Sequence, residues 1–137
     1  MSDIAAVHRA VYEAVNARDL GRLREIYHAD CVYVTGDGVE QRGVDAVLAA
    51  VSTFTGAFPD LAIEIRRQHI AGDDVSIVEY TFAGTHRGEL EGIAATGKAI
   101  EVVACSVVEV RAGRITEERD YYDTLALMTQ LGVANAD

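Results

Sequence analysis

The sequence predicts an α+β fold in which helices precede a mostly antiparallel sheet. Before Pro59, most apolar residues recur every three or four positions, which indicates amphipathic helices. From Leu61 onward they occur instead in runs rich in Val, Ile and Tyr, which are typical of strands. Pro59 separates the two regions, because a proline disfavours helical geometry in the residue before it.

The N-terminal region predicts three helices and one strand. Ser2 or Asp3 can cap the first helix and Asp19 the second, since their side-chain oxygens accept hydrogen bonds from free backbone N–H groups. A β-favouring run at residues 31–35 ends at the Gly-Asp-Gly turn of residues 36–38. The apolar positions of the helices are Ile4, Val7, Val11 and Val15 in the first, Leu20, Leu23, Ile26 and Tyr27 in the second, and Val44, Val47, Leu48, Val51, Phe54 and Phe58 in the third.

The C-terminal region predicts four strands and a closing helix. We expect the strands at residues 61–70, 75–84, 99–111 and 114–122. The helix is expected at residues 124–131, with Asp123 as its N-cap. No repeat or linker interrupts this pattern, so residues 1–137 are expected to form a single domain.

Residues 99–111 carry apolar side chains on both faces of the predicted strand. An antiparallel strand with one solvated face should alternate between apolar and polar residues, and the helices can cover only one face of the sheet. A second copy of the chain could cover the other face, which predicts a homodimer through the sheet. The alternative is a sheet that curls enough to bury this strand within one chain.

Charge and composition exclude several classes of partner. The chain has 22 acidic residues against 12 Lys and Arg, a net charge of −10, and no basic stripe of the kind that a nucleic-acid binder needs. No apolar stretch approaches the roughly 20 residues of a membrane helix. We therefore expect neither nucleic-acid nor membrane partners. The acidic Asp3 stands where a secretion signal would carry basic residues, which predicts a cytoplasmic protein.

Neither a metal nor a nucleotide cofactor is expected. The four histidines show no ligand spacing, and the two cysteines fit neither a zinc site nor a disulfide framework. No glycine-rich phosphate loop is present. Carboxylates, tyrosines and histidines on strands therefore remain as the candidates for chemistry.

The last predicted strand supplies the candidate acid. Residues two apart on a strand share a face, so Asp120 lies on the same face as Glu118 and Tyr122, while Ile115 points the other way. An Asp120 that faced an apolar cavity would have its pKa raised by desolvation and could exchange a proton near neutral pH. Spacing alone leaves a second interpretation open, a solvent-exposed acid at a charged strand end.

Aromatic and histidine side chains are candidates for the wall of such a cavity. The alternation of the 75–86 segment places Tyr80, Phe82 and His86 on one face, where Tyr80 and His86 could orient a substrate carbonyl. For each of these, ordinary packing or a turn-edge position is the alternative. Further candidates for a cavity wall or for the core are Tyr12, Tyr33, Phe54 and Phe58.

Three segments resemble the SnoaL-like polyketide cyclases of the nuclear transport factor 2-like superfamily. They are residues 82–92 (FAGTHRGELEG) with 96–98 (TGK), residues 108–120 (VEVRAGRITEERD) and residues 123–132 (DTLALMTQLG). The resemblance implies a cone-shaped, cystatin-like fold, in which a curved sheet wraps around the N-terminal helices and encloses a deep apolar pocket, often in a dimer. It also implies cofactor-free chemistry.

In those cyclases an aspartate near the end of the last long strand acts as acid and base for an intramolecular aldol ring closure. Asp120 matches that aspartate, and Ser106 stands where the cyclases carry a histidine. Val15 replaces an aromatic residue of their first helix. Asp120 is thus the main catalytic candidate, with Ser106 and His86 as possible helpers.

Two functions remain open at the level of the sequence. The first is a cofactor-free enzyme that cyclises or isomerises a polyketide-like carbonyl compound. The second is a non-catalytic binding protein for a small apolar or aromatic molecule. A buried Asp120 that is able to exchange protons favours the enzyme, whereas an exposed or ion-paired Asp120 favours the binding protein.

Overall fold

The computed structural model describes residues 3–134 and, apart from one additional short strand, contains helices and strands in the predicted order. The helices are α1 (Ile4–Ala17), α2 (Leu20–Ile26), α3 (Val44–Ala57) and α4 (Thr124–Leu131). The strands are β1 (Tyr27–Val34), β2 (Glu40–Arg42), β3 (Ala62–Ala71), β4 (Val75–Thr85), β5 (Ala99–Arg111) and β6 (Arg114–Tyr122). None of the helices within residues 3–134 is long and apolar enough to cross a membrane.

The strands form one curved sheet in the order β2-β1-β6-β5-β4-β3. All neighbouring strands run antiparallel except β1 and β6, which are parallel. Helix α1 packs across the inner face against β3, β4, β5 and β6, and α3 packs against β1. The predicted fold class, a mostly antiparallel sheet wrapped around N-terminal helices, is confirmed.

Aspartate side chains begin three of the helices. The carboxylates of Asp3, Asp19 and Asp123 accept hydrogen bonds from the backbone N–H groups three residues later, at 3.2, 3.0 and 2.9 Å. Each bond satisfies one of the N–H groups that have no partner within the helix. All three predicted caps are therefore confirmed, while Ser2 lies outside the described residues.

The first strand is longer than predicted. Tyr27, expected in the apolar stripe of the second helix, is instead the first residue of β1, because it pairs with Ile115 of β6. The short strand β2 was not predicted, since its three residues are exposed and polar and show no apolar alternation. Backbone pairing with β1 alone defines it.

A bulge changes the predicted face of one residue in β6. Ile115 was expected on the face opposite Asp120, but its side chain is fully buried in the core. The register between β5 and β6 shifts between Glu109 and Val110, and such a shift reverses the alternation on one side of the bulge. Beyond the bulge the predicted parity holds, and Glu118 and Asp120 both face the interior.

Strand β5 alternates in burial along its whole length. Its inner side chains, such as Val102 and Val108, belong to the core. On the outer face Val103 is 69% exposed, so the part of the chain that the structure describes does not cover this face.

Candidate active site

A cavity of about 570 Å³ lies between the inner face of the sheet and helices α1, α3 and α4. Its wall is mostly apolar, with two carboxyl groups, Glu118 and Asp120, on β6. Strand β6 is central in the sheet, which places these groups at depth rather than at an edge. The aromatic residues of the wall are Tyr12, Tyr27, Tyr33, Phe54, Tyr80, Phe82 and Tyr122.

Glu118, which is buried, and Asp120, which is half-buried, form a carboxyl pair on alternate positions of β6. Glu118 is 6% exposed and accepts a hydrogen bond from the Tyr27 hydroxyl, with 2.5 Å between Tyr27 Oη and Glu118 Oε1. Across the sheet, Glu118 lies opposite Tyr33 of β1, and Asp120 lies opposite Ser106 of β5. The pair is thus surrounded by hydroxyl groups.

Burial raises the pKa of both carboxyl groups, and it raises that of Glu118 well above its usual range. The negative charge of Asp120 raises the pKa of Glu118 further, and a hydrogen bond between the two also favours the neutral form of Glu118. The same bond, with Ser106 and Tyr33 nearby, partly offsets the effect of burial on Asp120. We therefore assign the shared proton to Glu118 and the negative charge to Asp120.

Asp120 has an incomplete set of partners. Its Oδ1 atom is buried and has no hydrogen-bond partner among residues 3–134. A buried carboxylate oxygen of this kind costs free energy unless a ligand or water satisfies it. An atom with that property on a cavity wall is a suitable acceptor for a proton from a bound molecule.

The tyrosines around the acid pair are hydrogen-bond donors. Burial raises the pKa values of Tyr12, Tyr27, Tyr33 and Tyr80, and the negative charges of the acids raise them further. The phenol groups therefore keep their protons at neutral pH. They can donate to a carbonyl or enolate oxygen, but they do not act as bases.

A buried histidine lies behind this group of tyrosines. The Nδ1 atom of His8 is 2.8 Å from Ser76 Oγ. Its Nε2 atom is 3.2 Å from the Tyr12 hydroxyl and 3.3 Å from Ser106 Oγ. Burial lowers the pKa of His8 to about 4, so the ring is neutral at physiological pH.

The structure brings most of the candidate residues together. Asp120 and the candidate wall residues Tyr12, Tyr33, Phe54, Tyr80 and Phe82 all line the cavity. Ser106 is buried on β5, next to Asp120 in the β5–β6 ladder. No three His, Cys, Asp or Glu side chains within the described range are grouped so as to hold a metal ion.

His86 and Phe58 lie outside the cavity wall. Strand β4 ends at Thr85, and His86 begins a turn whose backbone pairs with Gly97 and Lys98, so the strand alternation does not extend to it. The His86 ring packs against Phe58 with centroids 5.4 Å apart, and its Nδ1 atom is 3.0 Å from Thr96 Oγ1. The proposed role of His86 at the substrate therefore has no support in the geometry, and Phe58 is a core residue.

Glu118, His8 and Tyr27 were not among the site residues predicted from the sequence. The parity of the last strand already placed Glu118 beside Asp120, so a signal for the pair was present. His8 is four residues before Tyr12, on the same side of α1. The contact of Tyr27 with Glu118 joins residues 91 positions apart, which no local pattern reveals.

Several solved structures with the same fold are named as candidate polyketide cyclases. A candidate SnoaL-like polyketide cyclase from Jannaschia sp. CCS1 superposes with a TM-score of 0.87 at 18% identity, over 96% of this chain and 93% of that one. AclR, a candidate hydroxylase from Streptomyces galilaeus, gives 0.86 at 24% identity, over 98% and 83%. At these identities the likeness shows a shared fold.

A third structure is IdmH, a candidate polyketide cyclase from Streptomyces antibioticus. It has a TM-score of 0.84 and 27% identity, over 96% of this chain and 99% of that one. No curated protein matches the chain. The family model described as SnoaL-like polyketide cyclase matches residues 5–131, which include every residue of the acid pair and its surroundings. The chain therefore belongs to the SnoaL-like polyketide cyclase family.

Proposed function

We propose that the protein is a cofactor-free acid–base enzyme acting on a polyketide-like carbonyl compound, with intramolecular aldol cyclisation as its reaction. The observation that carries this proposal is the Glu118–Asp120 pair on the wall of a largely apolar cavity, where the buried Oδ1 atom of Asp120 has no hydrogen-bond partner among the described residues. Membership of the cyclase family supports the same reaction class.

Asp120 acts as the base in this reaction. Its carboxylate removes a proton from a carbon between two carbonyl groups, and the electron pair of the broken C–H bond forms an enolate. The enolate carbon attacks a second carbonyl carbon of the same molecule and closes the ring. The resulting alkoxide takes the proton back from Asp120, so the reaction is an isomerisation that consumes no co-reactant.

Glu118 keeps Asp120 suited to both steps. A carboxylate with an ordinary pKa is too weak a base for an acidic C–H group, whereas burial raises the pKa of Asp120. The proton on Glu118 prevents two negative charges from facing each other in the low-dielectric interior. Tyr27 holds the Glu118 carboxyl from the opposite side.

Tyrosine hydroxyl groups stabilise the enolate. Tyr12, Tyr33 and Tyr80 line the cavity and are close enough to Asp120 for its charge to raise their pKa values. A preorganised donor aimed at a developing oxyanion lowers the barrier by about 3–4 kcal/mol.

The charge of the cavity favours a substrate without a negative charge. Four acids line it, Asp37, Glu91, Glu118 and Asp120, and none of the described residues of its wall is Lys, Arg or His. A free carboxylate would enter without a counter-charge and would raise the pKa of Asp120 further. We therefore propose an ester or ketone as the substrate, rather than the corresponding acid.

A binding protein for a small apolar molecule is the second candidate. The aromatic wall around Phe54, Phe82 and Tyr122, whose rings meet edge to face, favours it, because such a surface retains a flat guest without any chemistry. The two candidates differ in what they require of Asp120.

The experiment measures turnover of a panel of polyketide methyl esters, followed by absorbance and mass, with wild type beside Asp120→Asn. We expect Asp120→Asn to lower the rate of turnover roughly 10²–10⁴-fold, which is the usual contribution of a general base. Glu117→Gln is the matched control, because Glu117 lies on the outer face and pairs with Arg119. The free acids of the panel are expected to react more slowly than their esters.

If wild type and Asp120→Asn are equally active, Asp120 is not the base and another residue removes the proton. Tight binding of the panel without turnover in either protein would favour the binding protein. Both outcomes require that the variant has the circular dichroism spectrum of the wild type.

A further inference from the structure

His8 is the buried titratable group that the proposed reaction leaves unused. Its side chain is fully buried between α1, β4 and β5, and it contacts the hydroxyl groups of Ser76, Tyr12 and Ser106. Two of these groups, Tyr12 and Ser106, lie next to Asp120. The proton on the imidazole therefore decides which way those two hydroxyls point.

The direction of the hydrogen bonds can be followed inward from the surface. The guanidinium of Arg9 donates to Gln68 Oε1 at 2.7 Å, which fixes the orientation of the Gln68 amide. The Nε2 atom of Gln68 then donates to the backbone oxygen of Ala5 at 3.0 Å and to Ser76 Oγ at 3.1 Å. Both amide protons of Gln68 are thereby used, and Ser76 Oγ is an acceptor.

Ser76 in turn sets the tautomer of His8. Its hydroxyl proton has one acceptor among the described residues, His8 Nδ1 at 2.8 Å. If Nδ1 accepts, the single proton of a neutral imidazole is on Nε2. His8 Nε2 then donates to the oxygens of Tyr12 and Ser106 and cannot accept a proton from either.

We propose that His8 is a positioning residue, which holds its proton on Nε2 and so directs the hydroxyl protons of Tyr12 and Ser106 away from itself, towards the cavity and Asp120. The opposite tautomer would accept the Tyr12 or Ser106 proton and turn a donor away from the reacting atoms. The catalytic consequence of this arrangement rests on the proposed function, whereas the tautomer does not.

The arrangement supplies a donor to each negatively charged atom of the reaction. Tyr12 lines the cavity, so its directed O–H group is available to the enolate oxygen of a bound substrate. Ser106 lies opposite Asp120 in the sheet, so its directed O–H group is placed to donate to the carboxylate. The titratable groups that face this cluster are Tyr80, Glu118 and Asp120, and none of them reaches the His8 ring in a hydrogen bond within residues 3–134.

The first test reads the tautomer without any substrate. Wild-type protein labelled with ¹⁵N in histidine is examined by long-range ¹H–¹⁵N NMR at pH 7, where the two ring nitrogens of a neutral imidazole give distinct shifts. We expect a protonated Nε2 and an unprotonated Nδ1 for His8. A protonated Nδ1, or rapid exchange between the two tautomers, would overturn the proposal.

The second test separates positioning from packing. His8→Gln keeps an N–H donor near the place of Nε2, whereas His8→Phe keeps the size of the ring and removes both nitrogens. On the ester panel we expect His8→Phe to lower kcat about tenfold, the value of one hydrogen bond, with KM nearly unchanged. We expect His8→Gln to restore most of the loss, with His69→Gln on the outer face as the control.

The outcomes of the two tests are independent of each other. A protonated Nδ1 in a protein that loses turnover on Asp120→Asn would leave the proposed function intact and reject the role of His8. If His8→Phe keeps the kcat of the wild type, His8 only fills space; if His8→Gln loses as much activity as His8→Phe while both remain folded, the N–H donor is not what matters, and either result overturns the proposal.

Discussion

Glu118 and Asp120 occupy equivalent positions on one strand, yet their surroundings give them different protonation states. Tyr27 holds Glu118 in the interior, and desolvation together with the charge of Asp120 keeps its proton in place. Asp120 is close to hydroxyl groups that favour its charged form, and one of its oxygens has no partner among the described residues. Of these two carboxyl groups, Glu118 is thus assigned the shared proton and Asp120 the role of base.

The low pKa of His8 makes stability depend on pH. Between pH 6.5 and about 4, the unfolded chain binds a proton at His8 and the folded chain does not, so acidification through this range favours unfolding. Relative to His8→Gln, we expect the wild type to lose on the order of 3 kcal/mol of unfolding free energy between pH 7 and pH 4. Urea denaturation at several pH values measures the difference.

The His8→Gln variant is needed as a reference, because the Glu118–Asp120 pair changes the free energy of unfolding with pH in the direction opposite to His8. The raised pKa values of Glu118 and Asp120 mean that the folded state binds more protons than the unfolded state, so their contribution to stability falls as pH rises. Subtracting the His8→Gln curve removes that contribution. Parallel pH dependences in wild type and His8→Gln would contradict the account.

Single residues were predictable where local alternation governs them. The period of two along β6 placed Asp120 and Glu118 on one face, the resemblance to the cyclases indicated that this face is the inner one, and both residues line the cavity. The same rule failed for His86, because β4 ends one residue before it. His8 could not be predicted as part of the site, since its partners Ser76 and Ser106 are 68 and 98 residues away along the chain.

At the scale of elements, the segment between β4 and β5 is tied to the end of α3. The backbone N–H groups of Arg87 and Gly88 donate to the Ala57 oxygen at 3.0 and 3.1 Å. Gly88 lies so close to this helix that a Cβ atom there would be 2.3 Å from the Gly56 oxygen. This contact holds the segment that carries Leu90 and Glu91 against the cavity.

Two glycines on either side of this contact should respond oppositely to alanine. Gly88→Ala forces two backbone segments apart, and we expect a loss of about 1–3 kcal/mol of unfolding free energy. Gly56→Ala has open space around the new Cβ atom and sits in a helix, so we expect a gain of up to about 1 kcal/mol. Thermal and urea denaturation of both variants provide the values, and equal effects would show that the segment is not docked as described.

The elements themselves were largely predictable, because each has a local signal. Three aspartate caps and one proline delimit the helices, and apolar runs mark the four long strands. Strand β2 and the bulge at Ile115 were missed, since both arise from pairing with a distant strand rather than from the residues themselves.

At the scale of the whole molecule, the described residues leave an apolar patch on the outer face of the sheet uncovered. Val103 and Tyr121 are 69% and 46% exposed, and a shallow depression joins them to Ile77 and Cys105. The inner face of β5 packs on the core, so burial of the outer face needs a second molecule. The homodimer that the apolar pattern of β5 suggested therefore stays a prediction, and this patch is the surface through which we expect the two copies to bind.

Size-exclusion chromatography with light scattering tests this surface. We expect the wild type to be a dimer, and Val103→Glu to shift it towards monomer because a charge would be buried at the interface. Leu20→Glu is the control, since Leu20 is 41% exposed on α2, on the helical side of the sheet. A wild type that remains monomeric at high concentration would contradict the prediction.

The fold as a whole was predictable because its order of helices and strands and its three sequence segments agree with one family. The parallel pairing of β1 with β6 was not, although it brings Tyr27 and Tyr33 to the acid pair. Long-range pairing of this kind depends on the packed sheet, and the alternation within each strand carries no information about it.

The most direct test of the account is the titration of the two carboxyl groups by ¹³C NMR in the wild-type protein. We expect the Glu118 side chain to remain protonated at neutral pH while Asp120 is charged, and Glu118→Leu to raise the pKa of Asp120, because it removes the hydrogen bond from Glu118 that favours the charged carboxylate. Two carboxyl groups that both ionise below pH 5 would contradict the assignment of a shared proton, and with it the role of Asp120 as the base.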